Sequence, residues 1–371
     1  MKKIGVAGYG STRFSKNDIP IEELLLESTK QVFQTTPNIS QDLIDGVLVS
    51  TNDNSKYLSA ILSELTGIKP KISHTIEHLC SSGTNAVISA FSYIASGLAD
   101  VILVTGGDVI GNPGQVLEWD KSRGQFNHPI YWGSMFTKAH KRKFSTTEEE
   151  LAIVSAKNHR QAIDNPNSYS HEPYTISQIM NSKIITDDLR ILDCSYPCSG
   201  SASILLASED ILKKFTDTPV WISGIGQKTN SASFTKNDLT TLSSTVSASN
   251  DAYSMSNTNP NEIDVAEIHD AFSVCELMAV EDLGLTKKTK ASEFVRNLFN
   301  TENRKINPRG GLIGAGHPLG ATGISQIIEI TQQLQNNAQK RQITNAHKGL
   351  VHNMSAAATS STVLILSLIH I

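Results

Sequence analysis

The sequence predicts an α/β fold built from two similar βαβ-type halves. Short β-branched runs alternate with helical patterns, as expected of sheets covered by helices. Two polar, small-residue turns, one around Cys80 and one around His317, each open a helix of small residues and lead on to an apolar strand. With 371 residues, 39% hydrophobic and 18% charged, the chain suits a soluble globular protein long enough for a duplicated core.

In chain order, Lys3 to Ala7 reads as the first strand, Ile21 to Phe33 as a helix and Gly46 to Ser50 as a second strand. The turn Glu77-His78-Leu79-Cys80-Ser81-Ser82-Gly83 then opens the helix Thr84 to Ser96, and Val101 to Thr105 follows as a strand. From Trp119 to Asp188 the rhythm breaks. This stretch is polar, carries Lys141-Arg142-Lys143 and holds the helical pattern Thr147 to Ile163, so it is expected to be an insertion lying over the scaffold. Strand patterning returns at Ile204 to Ala207, and Val220-Trp221-Ile222-Ser223-Gly224 starts a second half. There Phe272 to Asp282 reads as a helix, the turn around His317 opens another through Ile330, and Gly349 to Val351 is a late strand. The expected division is residues 1–118 with 189–217 as the first half, 119–188 as an inserted loop domain, and 218–371 as the second half. Duplication would bring the two turns to equivalent places, with both helix N-termini aimed at one central cavity.

Composition narrows the function classes. A net charge of −4 argues against a nucleic-acid binder, which would present a basic footprint. No apolar run approaches membrane-spanning length, and the glycine-punctuated start Met1-Lys2-Lys3-Ile4-Gly5-Val6-Ala7-Gly8 is a poor signal peptide, so a cytoplasmic protein is expected. Cys80, Cys194, Cys198 and Cys275 suggest neither a disulfide framework nor a zinc site, and no metal or other cofactor is expected.

The chemistry starts from the two turns. Gly310, Gly311, Gly314, Gly316, Gly320 and Gly323 around His317 imply tight turns and close backbone approach, a backbone built to aim one imidazole. Its target is Cys80, which precedes a helix. The helix's positive end and a nearby imidazole would favour a thiolate there, making Cys80 a nucleophile.

At these residues the chain resembles the thiolase superfamily, in its sterol-carrier-protein-type and archaeal-type branch, from nearly end to end. The landmarks are His78-Leu79-Cys80-Ser81-Ser82-Gly83, Leu192 to Ala202, Glu267-Ile268-His269-Asp270-Ala271-Phe272, Gly316-His317-Pro318-Leu319-Gly320-Ala321-Thr322-Gly323, and His352-Asn353. The resemblance implies a thiolase fold, five layers αβαβα with a loop domain over the active site. It also implies homodimers or homotetramers, acyl-coenzyme A substrates, and a small OB-fold and zinc-ribbon partner protein. By the same resemblance Cys80 carries the acyl group, His317 takes the thiol proton, and His269 donates to a thioester or enolate oxygen. Gly316, Lys138, Lys141 and Arg142, with Lys143, fall in segments that would bind the coenzyme. The simplest activity implied is acetyl-CoA C-acetyltransferase, in either direction.

Two positions depart from that pattern. A carbon–carbon-bond-forming thiolase uses a second cysteine, either in a late loop or as the third residue of the His269 motif. This chain has Met354-Ser355 and Ala271 there. Candidate replacements as acid, base or oxyanion-loop groups are His352, Asn353, Ser355 and Cys275. Transfer to a non-thioester acceptor, or acyl-CoA binding without catalysis inside a complex, are the alternatives this leaves open.

Overall fold

The computed structural model describes residues 2–111, 126, 128–233 and 236–369. The expected boundary between residues 118 and 119, and with it Trp119, lies outside the described residues. The first half runs β1 (Ile4–Ser11), α1 (Ile21–Thr35), β2 (Gly46–Ser50), α2 (Leu58–Thr66), β3 (Ile72–Ile76), α3 (Ser82–Ala95) and β4 (Val101–Asp108). An intervening segment supplies α4 (Pro129–Phe144), α5 (Glu148–Ala162), α6 (Ile176–Met180), β5 (Ile184–Thr186) and β6 (Leu189–Arg190). β7 (Gly200–Ser208) and α7 (Glu209–Leu212) complete this half. The second comprises β8 (Val220–Thr229), α8 (Ser243–Ser256), β9 (Val265–Glu267), α9 (Ser273–Asp282), α10 (Ala291–Asn300), α11 (Gly311–Ala315), α12 (Leu319–Leu334), β10 (Lys348–Ser355) and β11 (Ser360–Ser367).

The main sheet has nine strands in the order β3-β2-β4-β7-β1-β8-β11-β10-β9. Its centre is the antiparallel seam between β1 and β8, where Gly5 faces Trp221 and Val6 faces Val220. Outward from that seam the two sides repeat one plan. Each begins with the first strand of its half and then its last, and ends in parallel pairing, β2 with β4 and β3 on one side and β9 with β10 on the other. Beyond β9 a parallel bridge from Ala266 to Ile306 stands where β3 stands in the first half.

The helices make this sheet the second and fourth of five layers. α3 and α12 lie side by side between the two sheet halves, and their core mixes Val87, Ala90 and Ile94 with Ile324, Ile327 and Ile330, and both with Leu48, Val104, Val351 and Leu364. α1 and α2 cover one outer face through Leu25, Val32, Leu58 and Leu62. α8 and α9 cover the other through Ala248, Ala252, Leu277 and Met278. The intervening segment joins that last core, not the half from which it emerges in sequence. Trp132 and Phe136 of α4, and Leu151 and Val154 of α5, pack with Phe272, Leu277 and Ile313. Among the described residues no helix is long and apolar enough to cross a membrane.

Candidate active site

Cys80 sits in a single 3-10 turn, Leu79–Ser81, between β3 and α3. The chain turns sharply there because Leu79 adopts a left-handed conformation, φ 48°. Such geometry costs a residue with a Cβ about 1 kcal/mol or more, so it needs bracing. The Glu77 carboxylate accepts from Leu79 N at 2.6 Å, while the Ser82 hydroxyl accepts from His78 N and donates to the Leu79 carbonyl, both at 2.7 Å. The half-buried thiol is thereby held at the amino end of α3.

His317 stands one residue before Pro318, the N-cap of α12. Gly316 has φ 96°, and a Cβ there would come within 2.7 Å of Cys198 Sγ. Packing and backbone geometry therefore account for that glycine. The imidazole is then oriented twice. Its backbone N–H donates to the Tyr196 carbonyl at 2.8 Å, and its Nδ1 lies 2.7 Å from Thr322 Oγ1. The Thr322 hydroxyl spends its one proton on the Pro318 carbonyl at 2.7 Å, so Nδ1 must be the donor toward it. The ring's proton is thus on Nδ1, and Nε2 keeps a free lone pair with no partner among the described residues.

His269 has the opposite tautomer. Gln326 Nε2 donates to the His352 carbonyl at 3.4 Å, which turns its Oε1 toward Asn353 Nδ2, 2.8 Å away. The second proton of that amide goes to His269 Nδ1 at 3.1 Å, so Nδ1 accepts and Nε2 carries the hydrogen. One imidazole therefore presents a base and the other a donor. Their rings meet edge to face with centroids 5.1 Å apart.

The reactive atoms of Cys80, His269 and His317 all lie within 4.8 Å of one another, the one such His, Cys, Asp or Glu group of three or more among the described residues. That donor set would suit a soft cation by element. Its protonation does not fit one, because ligation needs a thiolate and two inward lone pairs, whereas His269 presents an N–H. Burial, then the Asp108 carboxylate, pushes the Cys80 thiol up to about 12. Burial, then the Arg309 guanidinium, brings His317 down to about 3, and burial, followed by the neighbouring His317 ring, holds His269 well below the ordinary histidine range. Burial thus acts against the thiolate that the helix terminus would favour, and the resting pair expected is neutral thiol and neutral imidazole.

The two sequence motifs are tied together below this cluster. Arg309 donates from its backbone N–H and from Nε to Glu267, at 3.1 and 2.8 Å. Asn307 Oδ1 accepts from Ile268 N at 2.7 Å, and the Asp270 carboxylate accepts from Leu312 N at 2.6 Å at the start of α11. Asp270 is thus a cap.

Other expected residues fall in several places. His352 lies behind His269, accepting from its backbone N–H at 3.4 Å and reaching Thr245 Oγ1 at 3.0 Å with Nε2. Asn353 orients His269, as above. Ser355 ends β10 beside the nucleophile turn, its hydroxyl 3.3 Å from His78 Nδ1. Ala356, Ala357 and Ala358 after it all have positive φ, 47°, 61° and 57°. Cys275 does not join the reactive cluster. It is fully buried in the α8–α9 core, because its helix turns it toward Cys194 and Asp270. Lys138 and Arg142 are exposed on α4, but Lys141 is committed to Glu148 and Asp188, each 3.7 Å away. Its ion pairs turn it away from the role of a free phosphate-binding cation.

Three participants escaped the sequence reading. Thr322 stands five residues after His317 inside a quoted motif, and the first turn of a helix is where a hydroxyl can reach back to it. Gln326 lies one further turn along α12, so its spacing from Thr322 was a usable signal. Asp108 ends β4 and accepts from Thr51 Oγ1, Asn52 N and Gly320 N, which fastens the first half to the amino end of α12. Burial pushes it up to about 7. Nothing in the local sequence marks it.

With this geometry in hand, comparison with known proteins gives consistent results. A family model described as "Thiolase, N-terminal domain" matches residues 5–188, and one described as "Thiolase C-terminal domain-like" matches residues 226–368. An acetyl-CoA acetyltransferase of Methanothermobacter thermautotrophicus is 31% identical over 99% of this chain and 100% of its own length. Human sterol carrier protein 2 is 31% identical over 95% of this chain and 70% of its own. Among solved structures, the Ltp2-ChsH2(DUF35) aldolase superposes with a TM-score of 0.88 at 22% identity, covering 99% of this chain and 98% of that one.

Proposed function

The chain belongs to the thiolase family and is an acyltransferase, and on that premise we propose that it moves acyl groups between coenzyme A thioesters through an acyl-Cys80 intermediate. The observation that carries this reading is the complementary pair of imidazoles beside one thiol, His317 Nε2 with a free lone pair and His269 with its proton on Nε2. Cys80 Sγ attacks the thioester carbonyl as its proton passes to His317 Nε2, and His269 donates to the oxygen that gains charge. The bond from the carbonyl carbon to coenzyme A sulfur then breaks, and the leaving thiolate takes the proton from His317. Because the resting thiol is neutral, proton transfer accompanies attack and does not precede it.

In the second half-reaction the simplest acceptor is another acetyl-CoA. As its α-proton passes to His317 its α-carbon attacks the acyl carbon, the bond from that carbon to Cys80 Sγ breaks, and the freed thiolate recovers the proton, giving acetoacetyl-CoA. In reverse, coenzyme A gives up its thiol proton and takes the acyl group in the same way. His317 is the base available for both steps. A second reading, transfer to a non-thioester acceptor, is favoured by one observation. Among the described residues the reactive cluster contains a single thiol, with Cys275 buried elsewhere. Lys138 and Arg142, two of the three exposed cations of α4, are the ones we expect to meet coenzyme A phosphates. The expected assembly is a homodimer or homotetramer in the cytoplasm. A small OB-fold and zinc-ribbon partner suits a chain whose fold matches that of an Ltp2-ChsH2(DUF35) aldolase.

The test is incubation with acetyl-CoA or acetoacetyl-CoA, followed by intact mass and by acetoacetyl-CoA absorbance. An acyl adduct that disappears in Cys80→Ala is expected. An unmodified protein with no turnover would sink the acyl-enzyme reading, and an adduct without acetoacetyl-CoA formation or cleavage would favour the second acceptor class.

A further inference from the structure

His317 belongs to no regular element; it lies in the short link, residues 316–318, that joins α11 to α12. Gly316 before it has no Cβ to restrain the chain, yet the peptide groups on both sides of that glycine are pinned. The Ala315 carbonyl accepts from Tyr169 N at 2.9 Å, and the His317 N–H donates to the Tyr196 carbonyl at 2.8 Å. The two tyrosines come from different stretches, Tyr169 from the chain after α5 and Tyr196 from the chain between β6 and β7. Their half-buried rings stack on one another, with centroids 4.7 Å apart and planes inclined by 26°. A Cβ on Gly316 would lie 3.0 Å from Tyr169 Cβ, so the stack starts directly beside the glycine. His159 of α5 backs it from the core. Its fully buried ring meets those of Tyr196 and Tyr174 edge to face, centroids 5.9 and 4.7 Å away, and neither of its nitrogens has a hydrogen-bond partner among the described residues.

We infer that the stacked pair of Tyr169 and Tyr196 is a positioning clamp for His317, through which the intervening segment sets the place of the base relative to Cys80. The inference rests on the reading of His317 as the base of acyl transfer. The contact between His317 Nδ1 and Thr322 orients the imidazole, but it does not fix the main chain that carries the ring, because a glycine at φ 96° offers no steric resistance of its own. The two main-chain hydrogen bonds do fix it, provided that Tyr169 and Tyr196 keep their spacing. The stack supplies that spacing, Pro197 confines Tyr196 to extended backbone, and His159 stops the Tyr196 ring from retreating inward. The phenol hydroxyls play no part in this. Proton transfer from Cys80 to His317 depends on placement, and a displacement of about 1 Å can slow such a step about 100-fold.

The test is the rate of acetyl loading of Cys80 in the whole protein, followed by intact mass over a range of acetyl-CoA concentrations. Tyr196→Leu and Tyr169→Leu fill the space without stacking. Each should lower the maximal loading rate about 10- to 100-fold at an unchanged half-saturating concentration, with the double variant no slower than the slower single one. Tyr196→Phe, which keeps the stack and drops the hydroxyl, should restore the rate. Absence of loading in the wild type would sink the acyl-enzyme reading and this inference with it. Given wild-type loading, the clamp alone is overturned by any of four results: wild-type rates in both Leu variants, a raised half-saturating concentration with the maximal rate intact, a Phe variant as slow as the Leu one, or Leu variants neither of which melts cooperatively. The second of these would make the rings a substrate contact, the third would make the hydroxyl the acting group, and the last would leave the stack a role in folding only.

Discussion

At the scale of single residues, the state of Cys80 is set by burial and not by its helix. With its thiol pushed up to about 12, the thiolate fraction at neutral pH is minute and grows about tenfold per pH unit. Alkylation of Cys80 by iodoacetamide in the free enzyme should therefore rise without a plateau between about pH 7 and pH 10, followed by mass of the Cys80 peptide. A plateau or an inflection near neutrality would mean a preformed thiolate–imidazolium pair and would refute the neutral resting state. The three reactive residues were legible in the sequence because each lies in a short motif whose glycines, serines or neighbouring carboxylate mark a special backbone. Their protonation was not legible, because burial and the Asp108 carboxylate come from distant chain. Cys275 illustrates the converse. One helical turn beyond Ala271 it had a plausible spacing, yet which way a helix faces is decided by packing.

At the scale of elements, the site exists because α3 and α12 approach unusually closely at their amino ends. A Cβ on Gly83 would lie 2.8 Å from the Gly320 carbonyl, and one on Gly320 would lie 2.4 Å from the Ser50 carbonyl and 2.7 Å from Thr51 Cα. These are backbone contacts that no rotamer change relieves. Gly320→Ala should therefore push α12 off β2, cost about 2 kcal/mol or more, and slow acyl loading of Cys80 even where the protein remains folded. Denaturant melts and the intact-mass assay measure the two effects, and wild-type values in both would show that the helices do not need this contact. The glycine-rich pattern around His317 predicted close approach, but what approached was hidden, since Ser50 and Gly83 lie far off in sequence. After β10, three successive left-handed alanines, Ala356 to Ala358, carry strained geometry at about 1–2 kcal/mol each.

For the whole molecule, the repeated plan was readable from strand and helix alternation, yet the halves are not independent bodies. The central core draws Val87, Ala90 and Ile94 from one and Ile324, Val351 and Leu364 from the other, so neither half can close it alone. The sheet is also continuous across the β1–β8 seam. The intervening segment strengthens the dependence. α4 and α5 emerge from the first half but bury Trp132, Phe136, Leu151 and Val154 against the second, a placement that sequence order could not reveal because the linking residues say nothing about which face receives the helices. A fragment of residues 1–217 would thus expose β1's free edge, the inner face of α3 and the apolar face of α4 and α5 at once. It should lack a cooperative melt and a near-UV circular dichroism spectrum, and should recover both when co-expressed with residues 218–371. A first-half fragment that melted cooperatively by itself would show that the inner surface of α3 can be covered without α12. The closeness of Cys80 and His317 would then be a docking of two finished domains and not a product of one folding core.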